Sequence, residues 1–284
     1  MKSVRLFYFS KIQNFGDALN LQVMENLFNI RVERSDPARA DLVAIGSLLE
    51  AFLWRRIKIP SFLLGKYLFL KPILVYGSGF IKAPKYDNYG NEKTDSFYRK
   101  LDCFALRGHY TEKRIENVYK SNYSNFALGD PGLLANSLIN KDAITKKYSI
   151  GIIPHYMDKE SPAIYQLANS IKHSKIIDIV GDPIDILTQI AECETVFSTA
   201  MHGLIAADSL GIPNKWGSVS DELIGGKYKF RDYYSVYEID DPHCIDLNQD
   251  NLNQVTPEKI ASEYKIDYNK VNEIQKNLLK AFPY

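Results

Sequence analysis

Residues 198–216, STAMHGLIAADSLGIPNKW, decide how the chain is read. The stretch leaves an apolar run (Thr195 to Phe197), enters a segment of small residues and stops at Gly211 with Pro213 just beyond. A glycine past the last helical residue and a proline soon after it are helix stop signals. Small residues at Gly203, Ala206 and Ala207 let such a helix lie close on a sheet. Strand, junction and helix together make one unit of a parallel α/β layer. His202 stands at the junction, where a helix N-terminus collects free N–H groups and partial positive charge. An imidazole there serves as donor, general base or general acid near neutral pH, or else as a core histidine.

Outward from this unit the same alternation runs twice. In the first half, strands are expected at Val4–Phe9, Leu42–Ile45, Ile73–Tyr76, Asp102–Leu106 and Asn125–Leu128, short apolar runs suited to a buried parallel sheet. A helix is expected over Asp17–Phe28, with Leu21, Met24, Leu27 and Phe28 on one face. Another starts after Gly108 with Thr111 as its N-cap. The second half restarts with strands at Ser149–Ile153, Lys175–Val180 and Thr195–Phe197 and helices at Asp185–Cys193 and His202–Leu210. The polar segment Asn136–Lys147 marks a boundary, giving Rossmann-like domains at 1–143 and 144–256. Residues 257–284 are expected to form a helix, over Pro257–Ala281, that crosses back to the first domain. The expected fold is α/β, with two Rossmann-like domains facing each other across a cleft.

Composition narrows the function classes. The chain has 284 residues, 45% hydrophobic and 24% charged, and a net charge of +1. That balance gives no electrostatic argument for nucleic-acid binding. No run of about 18 uncharged apolar residues occurs, so no spanning helix is expected. The N-terminus passes directly into a strand and lacks a small-residue cleavage site, so no signal peptide is expected there. Cys103, Cys193 and Cys244 are scattered without metal-ligand spacing, which fits a reducing cytoplasm. No metal site is expected.

Ligands of open α/β sheets bind beyond the carboxyl ends of the strands. After the first strand, Asn14 and Gly16 permit a tight turn and Asp17 opens a helix, as cap or as functional acid. After the third, Gly77 and Gly79 allow close backbone approach, to a ligand or merely within the loop. Arg107 follows the fourth strand; its planar fork of donors suits carboxylate or phosphate, or a structural ion pair. Asp130-Pro131-Gly132 is turn chemistry first and a site acid second. His155, past a strand of the second half, reads as an ordinary loop histidine.

Seven segments in order, NFGDALN, DLVAIGSLLE, VYGSGF, ALRG, LGDPGLL, IGIIPHYMD and FSTAMHGLIAADSLGIPNKW, resemble the polysaccharide pyruvyl transferase family over roughly residues 5 to 235. The resemblance implies a GT-B-like fold and transfer of the enolpyruvyl group of phosphoenolpyruvate onto two hydroxyls of a sugar. The product is a cyclic ketal in a bacterial surface-polysaccharide precursor. It also implies that Gly16, Gly77, Gly79, Arg107 and Gly203 bind substrate and that His202 and Asp17 carry the chemistry. The family commonly has arginine two residues before the motif histidine, where this chain has Ala200. Lys229 and Arg231, within GGKYKFRDYY at 225–234, are the expected replacement, with Lys215 also nearby. Phosphoenolpyruvate is the donor substrate and no cofactor is expected. Competing readings are a GT-B glycosyltransferase using a nucleotide sugar and a non-catalytic saccharide-binding member.

The acceptor implied is a lipid-linked oligosaccharide, which suggests work at the cytoplasmic face of the inner membrane. Residues 51–74, AFLWRRIKIPSFLLGKYLFLKPIL, carry Arg55, Arg56, Lys58, Lys66 and Lys71 among aromatic residues and no acid. Such a segment suits peripheral contact with an anionic membrane, or packs on the first domain with a solvated cationic rim.

Overall fold

The computed structural model describes residues 2–9, 14–54, 70–119, 126–219, 226–249 and 252–284. Six strands build the first sheet: β1 (Lys2–Phe7), β2 (Ile30–Arg34), β3 (Leu42–Val43), β4 (Ile73–Tyr76), β5 (Leu101–Leu106) and β6 (Ala127–Leu128). They lie in the order β2-β1-β3-β4-β5-β6, every pair parallel. Helices α1 (Phe15–Gln22) and α2 (His109–Tyr119) follow β1 and β5.

Five strands build the second sheet: β7 (Tyr148–Ile153), β8 (Ser174–Ile176), β9 (Cys193–Ser198), β10 (Asn214–Ser218) and β11 (Ile245–Asp246). Read from its far edge, the order β8-β7-β9-β10-β11 repeats that of the first five strands, again all parallel. Both sheets therefore reverse direction between their first and third strands, the place where α/β sheets open a crevice. Helices α3 (Pro162–Ser170), α4 (Pro183–Ala191), α5 (Met201–Leu210) and α6 (Tyr228–Tyr234) accompany these strands, and α7 (Pro257–Glu263) and α8 (Tyr268–Ala281) end the chain. The α/β class and the pair of Rossmann-like sheets of a GT-B-like architecture are present.

Local chemistry explains the helix ends. Asp182 caps α4 by accepting from the N–H groups of Ile184 and Asp185, with Pro183 in the first turn. Thr256 and Asp267 cap α7 and α8 in the same way. α5 stops at Gly211, whose φ of +72° is a left-handed cap that glycine adopts without strain.

The two sheets meet through the loops at their carboxyl ends. The N–H of Phe15 donates to the carbonyl of Ile179 at 2.9 Å, and Asn14 bridges Val180. One hydrophobic cluster runs from Leu6, Leu19 and Leu42 of the first half to Ile153, Val196 and Leu204 of the second. α8 packs on the first sheet: the Tyr76 hydroxyl donates to the carbonyl of Leu278 at 2.8 Å, and the rings of Phe28 and Phe282 stack at 3.6 Å.

Several expectations change. The helix over Asp17–Phe28 begins at Phe15 and loosens into a π-helical turn at Val23–Leu27. Thr111 is not an N-cap but lies inside α2, where its N–H and hydroxyl both donate to Asp232 of α6. The single helix over Pro257–Ala281 is two, α7 and α8. The expected strand Lys175–Val180 is confined to Ser174–Ile176. Asn125 and residues 55–69 of the basic segment 51–74, including Arg55, Arg56, Lys58 and Lys66, lie outside the described residues. Among the described residues no helix is long and apolar enough to cross a membrane.

Candidate active site

His202 sits in the first turn of α5, just past β9, and its imidazole lies against Gly16 at the start of α1. A Cβ on Gly16 would fall 1.9 Å from His202 Nδ1, so only glycine leaves room for the ring. Gly132 flanks the ring, its would-be Cβ 3.9 Å from Cδ2. His202 Nε2 is sealed from solvent and has no hydrogen-bond partner. Burial, helped by the charges of Lys229, Arg107 and His155, pushes the imidazole down to about 3. At neutral pH it is an uncharged ring with one nitrogen unused.

Asp17 follows Gly16 on α1. The cap of this helix is Asn14, whose side chain accepts from the N–H of Gly16 at 2.9 Å. Asp17 is therefore free of capping duty. Its carboxyl accepts from Asn14 Nδ2 at 2.8 Å, and burial pushes it up to about 7 against the pull of the Phe9 backbone hydrogen bond. Lys229 reaches the same region from α6. Its Nζ makes no hydrogen bond or ion pair among the described residues and rests 5.3 Å from the Phe230 ring. Burial and Arg107 push Lys229 down to about 8, opposed by Asp158. The site thus joins a neutral imidazole, a carboxyl titrating near neutrality and an unpaired cation.

The remaining expected residues are used by the protein itself. Arg107 is completely buried: Nε donates to Asp232 at 2.8 Å, and the terminal nitrogens donate to Ser47 Oγ and the carbonyl of Phe80. A desolvated guanidinium directs its N–H groups at protein acceptors, so Arg107 is corrected from an anion grip to a structural tether. Gly79 makes room for it, since a Cβ there would lie 2.5 Å from Arg107 Cζ. Gly77 adopts φ +77° and its would-be Cβ meets the Pro131 ring at 2.2 Å. Gly203 lets α5 approach Ser198 Oγ, 2.5 Å from a Cβ. These three glycines fit protein against protein rather than ligand. Arg231 points outward, pairing with Asp241 at 2.6 Å, and Lys215 pairs with Glu263 at 2.9 Å. Of the cations expected to replace an arginine at position 200, only Lys229 is in place.

Two groups escaped the sequence reading. Asp130 is fully buried; Oδ1 accepts from the N–H of Gly132 at 2.9 Å and Oδ2 has no partner. Burial pushes it up to about 6, with Arg107 pulling the other way. His155, read as an ordinary loop residue, is pushed down to about 4 by burial and by Lys229. A histidine placed two residues past a parallel strand next to the strand that leads to His202 was the available signal. Among the described residues, no group of three His, Cys, Asp or Glu side chains is placed to hold a metal ion.

Comparison with known proteins identifies relatives. The chain is 29% identical over 248 residues to an uncharacterized protein of Acanthamoeba polyphaga mimivirus, covering 84% of this chain and 76% of that one. It is 24% identical over 227 residues to the succinoglycan biosynthesis protein ExoV of Rhizobium meliloti (strain 1021), covering 80% of this chain and 62% of that protein's length. Among solved structures, S. aureus MnaA with UDP aligns over 100% of this chain and 98% of that chain, with a TM-score of 0.46 and 13% identity. An alpha-glucosyltransferase with UDP-glucose and DNA containing an abasic site aligns over 99% of this chain and 95% of that chain, with a TM-score of 0.36 and 9% identity. The polysaccharide pyruvyl transferase model matches residues 13–214, which takes in α1, β5, β9 and the whole of α5. The chain belongs to the polysaccharide pyruvyl transferase family.

Proposed function

We propose that the protein transfers the pyruvyl group of phosphoenolpyruvate to two hydroxyls of one sugar, without a cofactor, in building a surface polysaccharide. The observation that carries this reading is the pairing of functions at one place: His202 with an unused Nε2 against Gly16, and Asp17, titrating near 7, one residue on. The chemistry needs a proton acid and a hydroxyl base. Asp17, partly protonated at pH 7, delivers a proton to C3 of the enol as the first sugar oxygen bonds to C2. His202, neutral, accepts the proton of an attacking hydroxyl. The C2–O bond to phosphate then breaks, and the second sugar oxygen bonds to C2. Of the two hydroxyl protons, one is balanced by the new methyl group and one leaves with phosphate. Positioned acid–base groups of this kind each contribute about 10²–10⁴-fold. Lys229 supplies positive charge for the donor's anionic groups.

The acceptor in this reading is a lipid-linked saccharide met at the cytoplasmic face of the membrane, with residues 51–74 as the peripheral contact. Release of inorganic phosphate from phosphoenolpyruvate, measured across a panel of lipid-linked sugars, tests it. Phosphate release that depends on acceptor, with a ketal in the product, is expected. Turnover of a nucleotide sugar in place of phosphoenolpyruvate would assign glycosyl transfer instead; acceptor binding without any turnover would make the chain a saccharide-binding member.

A further inference from the structure

His155 lies two residues past Ile153, the last of β7, and Ala200 lies two residues past Ser198, the last of β9. Ile153 and Ser198 are register partners, so His155 and Ala200 stand at matching positions on the carboxyl edge of the second sheet. This edge lies at the point where the strand order reverses, the usual ligand crevice of such sheets. Ala200 caps α5 without offering any side chain, leaving that edge open beside the His155 position.

The backbone carrying His155 is held firmly. Its N–H donates to Thr199 Oγ1 at 2.8 Å, and the Thr199 hydroxyl donates to the buried carboxylate of Asp158 at 2.6 Å. The Thr199 N–H donates in turn to the carbonyl of Ile153 at 3.1 Å. The ring packs on Tyr156 with centroids 4.3 Å apart, and Nδ1 accepts the N–H of Met157 at 3.4 Å. A neutral imidazole that accepts at Nδ1 carries its proton on Nε2 and presents a donor there. Lys229, on α6, is near enough for its charge to bear on both His155 and His202. The two imidazoles and the ammonium therefore surround one place.

We propose that His155 and Lys229 bind the phosphate group of a phosphorylated substrate, His155 donating from Nε2 and Lys229 supplying the charge. Donors on separate elements, only one of them charged, suit the spread oxygens of a tetrahedral phosphate; a planar carboxylate is matched by a single rigid fork. That the substrate is phosphoenolpyruvate rests on the pyruvyl-transfer reading; that the place binds phosphate does not.

Inorganic phosphate titrated into isotope-labelled full-length protein is the test, followed through the His155 ring resonances, which His155→Gln assigns by their disappearance. The His155 signals are expected to shift and saturate, and Lys229→Met to abolish the shift. Loss of a hydrogen bond to a charged group predicts that His155→Ala raises the KM for phosphoenolpyruvate about tenfold while kcat changes little. His155→Gln, whose amide can donate near the same point, recovers most of that loss. Ring signals unmoved by phosphate, or moved equally in Lys229→Met, overturn the proposal, and neither measurement depends on His155→Ala folding. A wild-type protein that binds phosphate through His155 yet never consumes phosphoenolpyruvate overturns the pyruvyl-transfer reading alone. Turnover with a silent His155 and an unchanged KM overturns this one alone.

Discussion

The carboxylate of Asp232, on α6, meets the guanidinium of Arg107, at the end of β5, at 2.8 Å with neither side chain exposed. The same carboxylate accepts from the N–H and hydroxyl of Thr111. Backbone closeness reinforces the joint: a Cβ on Gly108 would lie 1.7 Å from the Asp232 carbonyl oxygen, so glycine is required there. α6 follows the strands of the second sheet in sequence yet is fastened to the first. Lys229 is placed in the cleft by that fastening.

Removing one partner of a buried ion pair leaves a charge without compensation, at a cost of about 3–5 kcal/mol. Asp232→Ala and Arg107→Met are each expected to lose stability of that order in urea unfolding. The double variant Arg107→Met, Asp232→Leu should lose less than the sum of the singles. A role for Arg107 in gripping the donor would show the opposite pattern, a raised donor KM with unchanged stability.

Gly16→Ala tests the imidazole's seat. Gly16 is a helical residue without a left-handed φ, and alanine favours helix over glycine by up to about 1 kcal/mol. The new methyl group displaces His202, so turnover is expected to fall about a hundredfold, the scale of one positioned acid–base group. The midpoint of thermal unfolding should change little by comparison. Wild-type turnover in Gly16→Ala would remove His202 from the chemistry.

Asp17 gives a pH signature with a definite sign. Its folded pKa, about 7, lies above the ordinary value of 3.8, so the folded chain holds a proton that the unfolded chain has released between those limits. Its contribution to stability is full below pH 3.8 and is lost as pH rises toward 7. Asp17→Asn is therefore expected to gain stability relative to wild type over that window and to hold the gain above it. If Asp17 is the proton donor, wild-type kcat should decline as pH rises through about 7. Parallel melting curves for the two proteins from pH 4 to 8 would refute the elevated pKa.

Asp208, fully buried on α5, accepts from Asn214 Nδ2 and from the hydroxyls of Tyr233 (2.6 Å) and Tyr264 (2.7 Å). These contacts bind α5, α6 and the turn after α7 together. Asp208→Ala orphans three donors, each worth about 1–3 kcal/mol when left unsatisfied in the interior. A severe drop in the unfolding midpoint is expected. Tyr264→Phe, which removes one donor and leaves the others paired, should cost less, and an equal loss in both would contradict the shared network.

Where the sequence was legible, the reason is local. β4 (ILVY), β7 and β9 show their burial in their own side chains, and α5 announces its end with Gly211 and Pro213. β2, IRVER, was missed because it is an exposed edge with alternating charges, and β10, NKWGS, because Asn, Lys and Gly disguise a buried parallel strand. His202 and Asp17 could be singled out because strand–loop–helix junctions are visible in one dimension. Arg107 could be noticed, but its purpose depends on Asp232, 125 residues on, and no local pattern encodes a pairing at that distance. His155 became meaningful only when the register set it level with Ala200.

The packing of α8 on the first sheet also bears on how the chain is made. Tyr76 and Phe28 belong to its opening third, whereas their partners Leu278 and Phe282 are among the last residues to be synthesised. At about 5–20 residues per second, the ribosome leaves that face without its cover for on the order of ten seconds. Throughout that interval a nascent chain presents apolar surface that the finished molecule hides, so its birth is the period when it depends most on chaperones.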